Sequence, residues 1–137
     1  MFRQLKSLFA AAPPIVYQHP EFGPFTRESS GKWSGIAQYS GREIRVWVGG
    51  TPVMPDAALL QCAHDSSHWL SGAEKTAIHF IRMQYPDVSG EITLESLDYW
   101  NHKRQCFALV FKLAGDEDGF WRVQFENGAP KFSGRDD

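Results

Sequence analysis

From Phe22 to Gly50 the apolar positions recur with the period of two that half-buried strands show. Phe22-Gly23-Pro24-Phe25 opens an extended segment, and Ser29-Ser30-Gly31 supplies a turn. A second strand runs from Trp33 to Tyr39 and turns at Ser40-Gly41-Arg42. The third, Glu43 to Val48, sets Ile44, Val46 and Val48 on one face and Arg45 and Trp47 on the other. Gly49-Gly50 stops it. Three strands joined by tight turns predict an antiparallel meander.

The period then changes. Asp56, after Pro55, is a good N-cap, because its carboxylate can accept the unpaired backbone N–H groups of a helix start. Leu59, Leu60, Ala63, Ser67 and Leu70 follow at helical spacing. Ser71 with Glu74 fits a capping box, which predicts a second helix from that point or one helix kinked at Gly72. Ala77, Ile78, Ile81 and Tyr85 continue the stripe until Pro86 ends it. Near the N-terminus, Phe2, Leu5, Leu8 and Phe9 form another helical stripe closed by Pro13-Pro14.

Strands resume after the helices. Glu91 to Tyr99 alternates Ile92 and Leu94 against Thr93 and Glu95, and Asn101-His102-Lys103-Arg104 reads as a turn. Phe107, Leu109, Phe111 and Leu113 share one face of the next strand. Gly115 to Gly119 reads as an acidic turn. In the last strand Trp121, Val123 and Phe125 point inward and Arg122, Gln124 and Glu126 outward. Asn127-Gly128 turns the chain towards a short tail. Grouped strands and grouped helices indicate an α+β fold rather than a wound parallel sheet. The expectation is a six-stranded, mostly antiparallel sheet in the order β-β-β-α-α-β-β-β. The helices pack on one face, and residues 1–14 form a short N-terminal helical extension. With no linker, repeat or low-complexity tract, residues 1–137 read as a single domain.

A chain of 137 residues can bury about two thirds of its unfolded surface, so the core needs neither metal nor disulfide. Aromatics at 14%, with five Trp and ten Phe, exceed the ordinary share. Most belong in the core, and a few exposed ones are expected at a partner surface. The net charge of −2, with no basic cluster beyond Lys103-Arg104, argues against nucleic acid as a partner. The apolar run Leu8 to Ala12 is shorter than the core of a signal peptide, which needs about 7–15 apolar residues, and nothing approaches the ~20 of a membrane span. Cys62 and Cys106 stand far apart and read as two thiols in a reducing compartment, with a single disulfide as the alternative.

The polar residues form no reactive motif. His64 and His68, four apart, can project from one helix face, but a zinc site needs three or four ligands. Asp65 follows His64 where a metalloprotease motif would place Glu, so a polar helix face is the commoner reading. His102 with Cys106 or Ser96 lacks a group to orient the base. Gly49-Gly50-Thr51-Pro52 matches no phosphate loop, and Asp56 behind it repels anions. Asp116-Glu117-Asp118 is too sparse for a calcium loop and reads as a solvated hairpin tip, a natural steering element towards a basic partner. Beside it in character stands Trp100, which ends a strand and, if exposed, is an interface anchor.

The order of Phe22-Gly23-Pro24-Phe25, Trp33 with Gly35, Ile44-Val46-Val48, Trp69 and Ala73, Ile92 to Leu97, Phe107 to Phe111, Phe120-Trp121-Arg122-Val123 and Gly134 resembles a group of bacterial domains of unknown function. The resemblance covers residues 20 to 135 and leaves out the N-terminal helix. It implies a cytoplasmic, immunity-type protein that binds a cognate toxin stoichiometrically and occludes it, with no cofactor, no metal and no catalytic residue. Trp100, Asp116, Glu117 and Asp118 are then the expected partner-binding residues, an aromatic anchor with acidic neighbours suited to a basic cleft. The rival expectations are a metal-dependent hydrolase built on His64 and His68, and a structural or adaptor protein, including a homodimer.

Overall fold

The computed structural model describes residues 15 to 101 and 106 to 136. The expected N-terminal helix and the His102-Lys103-Arg104 turn lie outside the described residues. Four strands come first: β1 (Val16–His19), β2 (Gly23–Arg27), β3 (Trp33–Tyr39) and β4 (Arg42–Val48). Helix α1 (Ala57–Asp65), a 3-10 turn (Ser66–His68) and helix α2 (Leu70–Gln84) follow, and then β5 (Ile92–Asn101), β6 (Cys106–Leu113), β7 (Asp116–Glu126) and β8 (Ala129–Asp136). All eight strands form one sheet whose spatial order is the chain order.

The α+β class holds, but the expected six-stranded, mostly antiparallel sheet does not: the sheet has eight strands and is mixed. β4 pairs β5 in parallel, with Val46 beside Leu97 and Val48 beside Tyr99. The helical segment between them returns the chain to the end of the sheet where β4 began, which makes the pair parallel. β1 and β8 were hidden in the sequence because both are edge strands that bury little. Val16 and Gln18 are exposed, and in β8 Ser133 is the buried position among exposed and half-buried neighbours. Pro130 sits in β8, where an edge tolerates the missing N–H.

Two-residue turns fix the hairpin registers. Ser40 and Gly41 have φ of 50° and 76°, and Asn127 and Gly128 have 53° and 82°. Positive φ at both central residues gives a turn whose twist matches the flanking strands. In β5 the simple alternation fails. Leu94 faces Phe111 while Ser96 faces Val110, so Glu95 is an extra, bulged residue. The bulge shifts the inward phase from Leu94 to Leu97 and Tyr99, all three buried.

The helices cover one face of this sheet. Asp56 caps α1 as expected, its Oδ1 accepting from Leu59 N–H at 2.9 Å. The second helix starts at Leu70 rather than at Ser71, and the capping box is not formed. Trp69 breaks the helical path with φ −132° and lays its ring 4.8 Å from that of Phe107. Glu74 instead accepts from Tyr39 Oη at 3.3 Å. Leu59, Leu60 and Ala63 from α1, and Leu70, Ala77 and Ile81 from α2, close over Phe25, Trp33, Val46, Leu97, Leu109 and Phe111. Gly35 lies beneath Phe25, where a Cβ would come within 2.8 Å of the ring. Among the described residues no helix is long and apolar enough to cross a membrane.

Leu97 is 1% exposed and lies between Val46 and Leu109 at the centre of the sheet. Leu97→Ala is expected to remove about 2–5 kcal/mol of stability in denaturant titration, because the sheet cannot collapse around the lost side chain. A loss below about 1 kcal/mol would place Leu97 outside the core.

Candidate interaction surface

Strand alternation that sends Val46, Leu97 and Leu109 under the helices sends their neighbours to the opposite face, which no described helix covers. Cross-strand register arranges that face in rows. One runs Ser34, Trp47, Asp98, Ala108, Gln124, Phe132, and the next runs Ile36, Arg45, Ser96, Val110, Arg122, Gly134. Asp98 sits at the centre and is 5% exposed. Lys32 Nζ donates to its Oδ2 at 2.7 Å, and Arg122 Nη1 lies 3.5 Å from the same oxygen. Arg122 Nε in turn lies 3.4 Å from Asp136 Oδ2. Asp98 Oδ1 is buried and accepts from no described group. A shallow cavity of about 390 Å³ opens over this carboxylate, between Lys32, Trp47, Phe120 and Arg122.

Charge and aromatic surface alternate across the rest of the face. Arg45 Nη1 donates to Ser34 Oγ at 3.0 Å, and Ser34 Oγ donates to Glu28 Oε1 at 2.7 Å. The Arg45 guanidinium also lies 5.8 Å from the Trp47 ring centre. Lys112 Nζ sits 4.1 Å over Phe120. Phe120 is 41% exposed and Phe132 57%. A cation held against an aromatic ring at an exposed site is worth about 0.5–1 kcal/mol, so these contacts hold the side chains flat without removing the rings from reach.

The acidic run Asp116-Glu117-Asp118 does not form the tip of a hairpin. Ala114 and Gly115 turn the chain, and all three acids belong to β7. Glu117 and Asp118 are exposed. Asp116 is engaged: Arg135 binds it through both oxygens, Nε at 2.7 Å and Nη2 at 2.8 Å, and Trp121 Nε1 donates at 3.0 Å. The hydrogen bonds from the Arg135 guanidinium, with that of Trp121, hold the carboxyl down to about 2. Trp100 is 42% exposed and sits at an irregularity in the β5–β6 register. The four expected partner-binding residues are therefore divided between the end of β5 and the start of β7.

His64 and His68 also part company. His64 Nε2 lies 2.6 Å from Glu21 Oε2 and Nδ1 lies 3.5 Å from Asp65 Oδ1, so the helix is tied to the turn between β1 and β2. Hydrogen bonding to Glu21, then to Asp65, raises the imidazole pKa above its usual value. His19 shapes the same turn, its Nδ1 accepting from the N–H groups of Glu21 and Phe22 at 3.1 Å each. His68 lies exposed in the 3-10 turn. Among the described residues no three of His, Cys, Asp and Glu are grouped to hold a metal ion.

Sequence reading placed Arg45, Trp47, Arg122 and Gln124 on the outward face but missed Lys32, Asp98 and Phe132. Asp98 was legible in principle, since it lies between the inward Leu97 and Tyr99. The bulge at Glu95 obscured that phase. No family model, curated protein or solved structure matches the chain.

Asp116 gives this edge of the sheet an acid-sensitive element. A carboxylate whose folded pKa is depressed adds stability above its unfolded value near 4, and the gain is lost as pH falls through the folded value. Asp116→Asn is expected to lower the melting temperature at pH 7, with the difference from wild type closing between about pH 5 and pH 2. An equal difference at every pH would remove the ion pair with Arg135 as its cause.

Proposed function

We propose that this chain is a binding protein without catalytic activity that docks a protein partner on the sheet face opposite α1 and α2. The observation that carries the reading is the composition of that face. Phe120 and Phe132 are exposed within a field of charged groups of both signs, among them Arg45, Lys112, Arg122 and Asp136. Exposed aromatics inside a polar rim are the usual anchors of protein interfaces, whereas solvated sheet faces favour small polar side chains. A flat, twisted sheet offers a broad surface, which suits occlusion of another protein better than enclosure of a substrate. The sequence likeness to immunity-type bacterial domains supports a cognate toxin as the partner, bound stoichiometrically. Mixed charge on the face favours a partner patch that also carries both signs, and the exposed Glu117 and Asp118 lie on the adjoining part of β7.

Co-expression with the product of the adjacent gene tests this reading. A one-to-one complex is expected, and Phe120→Ala with Phe132→Ala should weaken it at least about ten-fold, the cost of removing interface anchors. A complex whose affinity ignores both substitutions would contradict the assignment of the face. Absence of any complex with neighbouring gene products would contradict the immunity reading.

A further inference from the structure

One edge of β3 is covered over part of its length. β2 pairs with it through Arg27 beside Trp33 and Thr26 beside Ser34, and then leaves it while β3 runs on to Tyr39. The sequence supplies the cause. Glu28 N–H donates to Lys32 O and Arg27 N–H to Ile15 O, so even-numbered residues here face β3 and odd-numbered ones face β1. The next residue due to face β3 before Thr26 is Pro24, which has no N–H to donate. Before Pro24, the turn carrying Glu21 and Phe22 bends towards α1, where Glu21 Oε2 lies 2.6 Å from His64 Nε2. A wedge opens between that turn and β3, a cavity of about 610 Å³ bordered by Phe22, His64 and residues 36 to 40.

Backbone groups face this wedge. The two-residue turn at Ser40 and Gly41 makes Tyr39 and Arg42 the closing hydrogen-bonded pair, so Tyr39, Ala37 and Gly35 bond to β4. Ile36 and Gln38 therefore direct their N–H and C=O groups away from β4, into the space that β2 has left. Among the described residues neither has a strand partner on that side. Gln38 is exposed, and Ile36, Ala37 and Tyr39 are half-buried, so the edge is within reach of solvent. Such an edge is the template on which an extended peptide adds as a further strand. The outer edges of the sheet are blunted, β1 by its length of four residues and β8 by Pro130 and a bulge at Lys131. Residues 36 to 39 carry no proline and no charge. A peptide antiparallel to β3 turns the side chain beside Ala37 into the wedge towards Phe22, which favours an apolar residue. The side chain beside Tyr39 meets an acidic surrounding. Glu74 accepts from Tyr39 Oη, Glu21 and Asp65 flank His64, and Arg42 is the guanidinium set against these three carboxylates.

We infer that the uncovered edge of β3, from Ile36 to Tyr39, binds an extended peptide as an added antiparallel strand, with an apolar side chain beside Ala37 and a basic one beside Tyr39. This site goes beyond the docking face and does not depend on it. The probe is an acetylated, amidated pentapeptide in the order threonine, lysine, threonine, valine, threonine, added to the full chain while amide hydrogen exchange is followed by NMR. In the free protein the amides of Ile36 and Gln38 should exchange fast and those of Gly35 and Ala37 slowly. Peptide at ten times its dissociation constant should slow Ile36 and Gln38 about ten-fold. Replacing the N–H of the threonine beside Gln38 by an ester oxygen should weaken the peptide about five-fold, the worth of one hydrogen bond. The same replacement at the valine, whose N–H points away from β3, should change affinity less than about two-fold. Gln38→Pro removes a donor that an edge does not use, so this variant should melt cooperatively and lose the peptide. Slow exchange at Ile36 and Gln38 in the free chain would assign the edge to residues 1–14, or to a second copy where protection rises with protein concentration, and would overturn the inference. Exchange at both amides that ignores the peptide, or equal effects of the two ester replacements, would overturn it as well.

Discussion

The parallel pairing of β4 with β5 is the constraint on which the rest of the structure depends. Two four-stranded antiparallel units, each held by local turns, become one sheet only where Val46 meets Leu97 and Val48 meets Tyr99. A parallel pair requires a crossover, and this crossover carries both helices. Because it passes over one side of the sheet, the apolar stripes of α1 and α2 all land on that side, and no described helix covers the opposite face. The division into a packed face and a bare face follows from one connection.

The same geometry explains how the two faces differ in chemistry. Under the helices, burial is nearly complete, and polar groups appear where packing is locally incomplete, as at Tyr99 beside small residues of α2. On the bare face, polar and aromatic groups alternate because each is half in water. Ser34, Asp98, Ala108 and Val110 are buried even here, and Asp98 is the charged group among them. It is buried within that face and satisfied on one oxygen by Lys32 and Arg122. Such a carboxylate contributes little net stability after desolvation, while its cations fix the positions of their neighbours. The network thus serves to hold a flat surface in one arrangement.

Much of this was legible in the sequence, and the losses have physical causes. Ile44, Val46 and Val48 alternate cleanly because β4 is central, with one face against the core. Asp56 announced the start of α1 because a cap is a local device. The edge strands β1 and β8 were lost because an edge buries little and needs no apolar repeat. The start of α2 was misplaced because Trp69 takes its position from Phe107, 38 residues away in sequence, a tertiary contact that outweighs a local capping box. The acidic run beginning at Asp116 looked like a loop by charge alone, yet Arg135 of β8 draws it into a strand. His64 and His68 were legible as neighbours on a helix, but not the 3-10 turn that separates their surroundings.

The central claim is that α1 and α2 seal one sheet face while Phe120 and Phe132 stand exposed on the other. Line broadening of phenylalanine ring protons by a neutral soluble paramagnetic probe measures this directly. Phe120 and Phe132 should broaden strongly, while Phe25 and Phe111, each 0% exposed, should be spared. Equal broadening of all four rings, or protection of Phe120 and Phe132 in the free protein, would contradict the account.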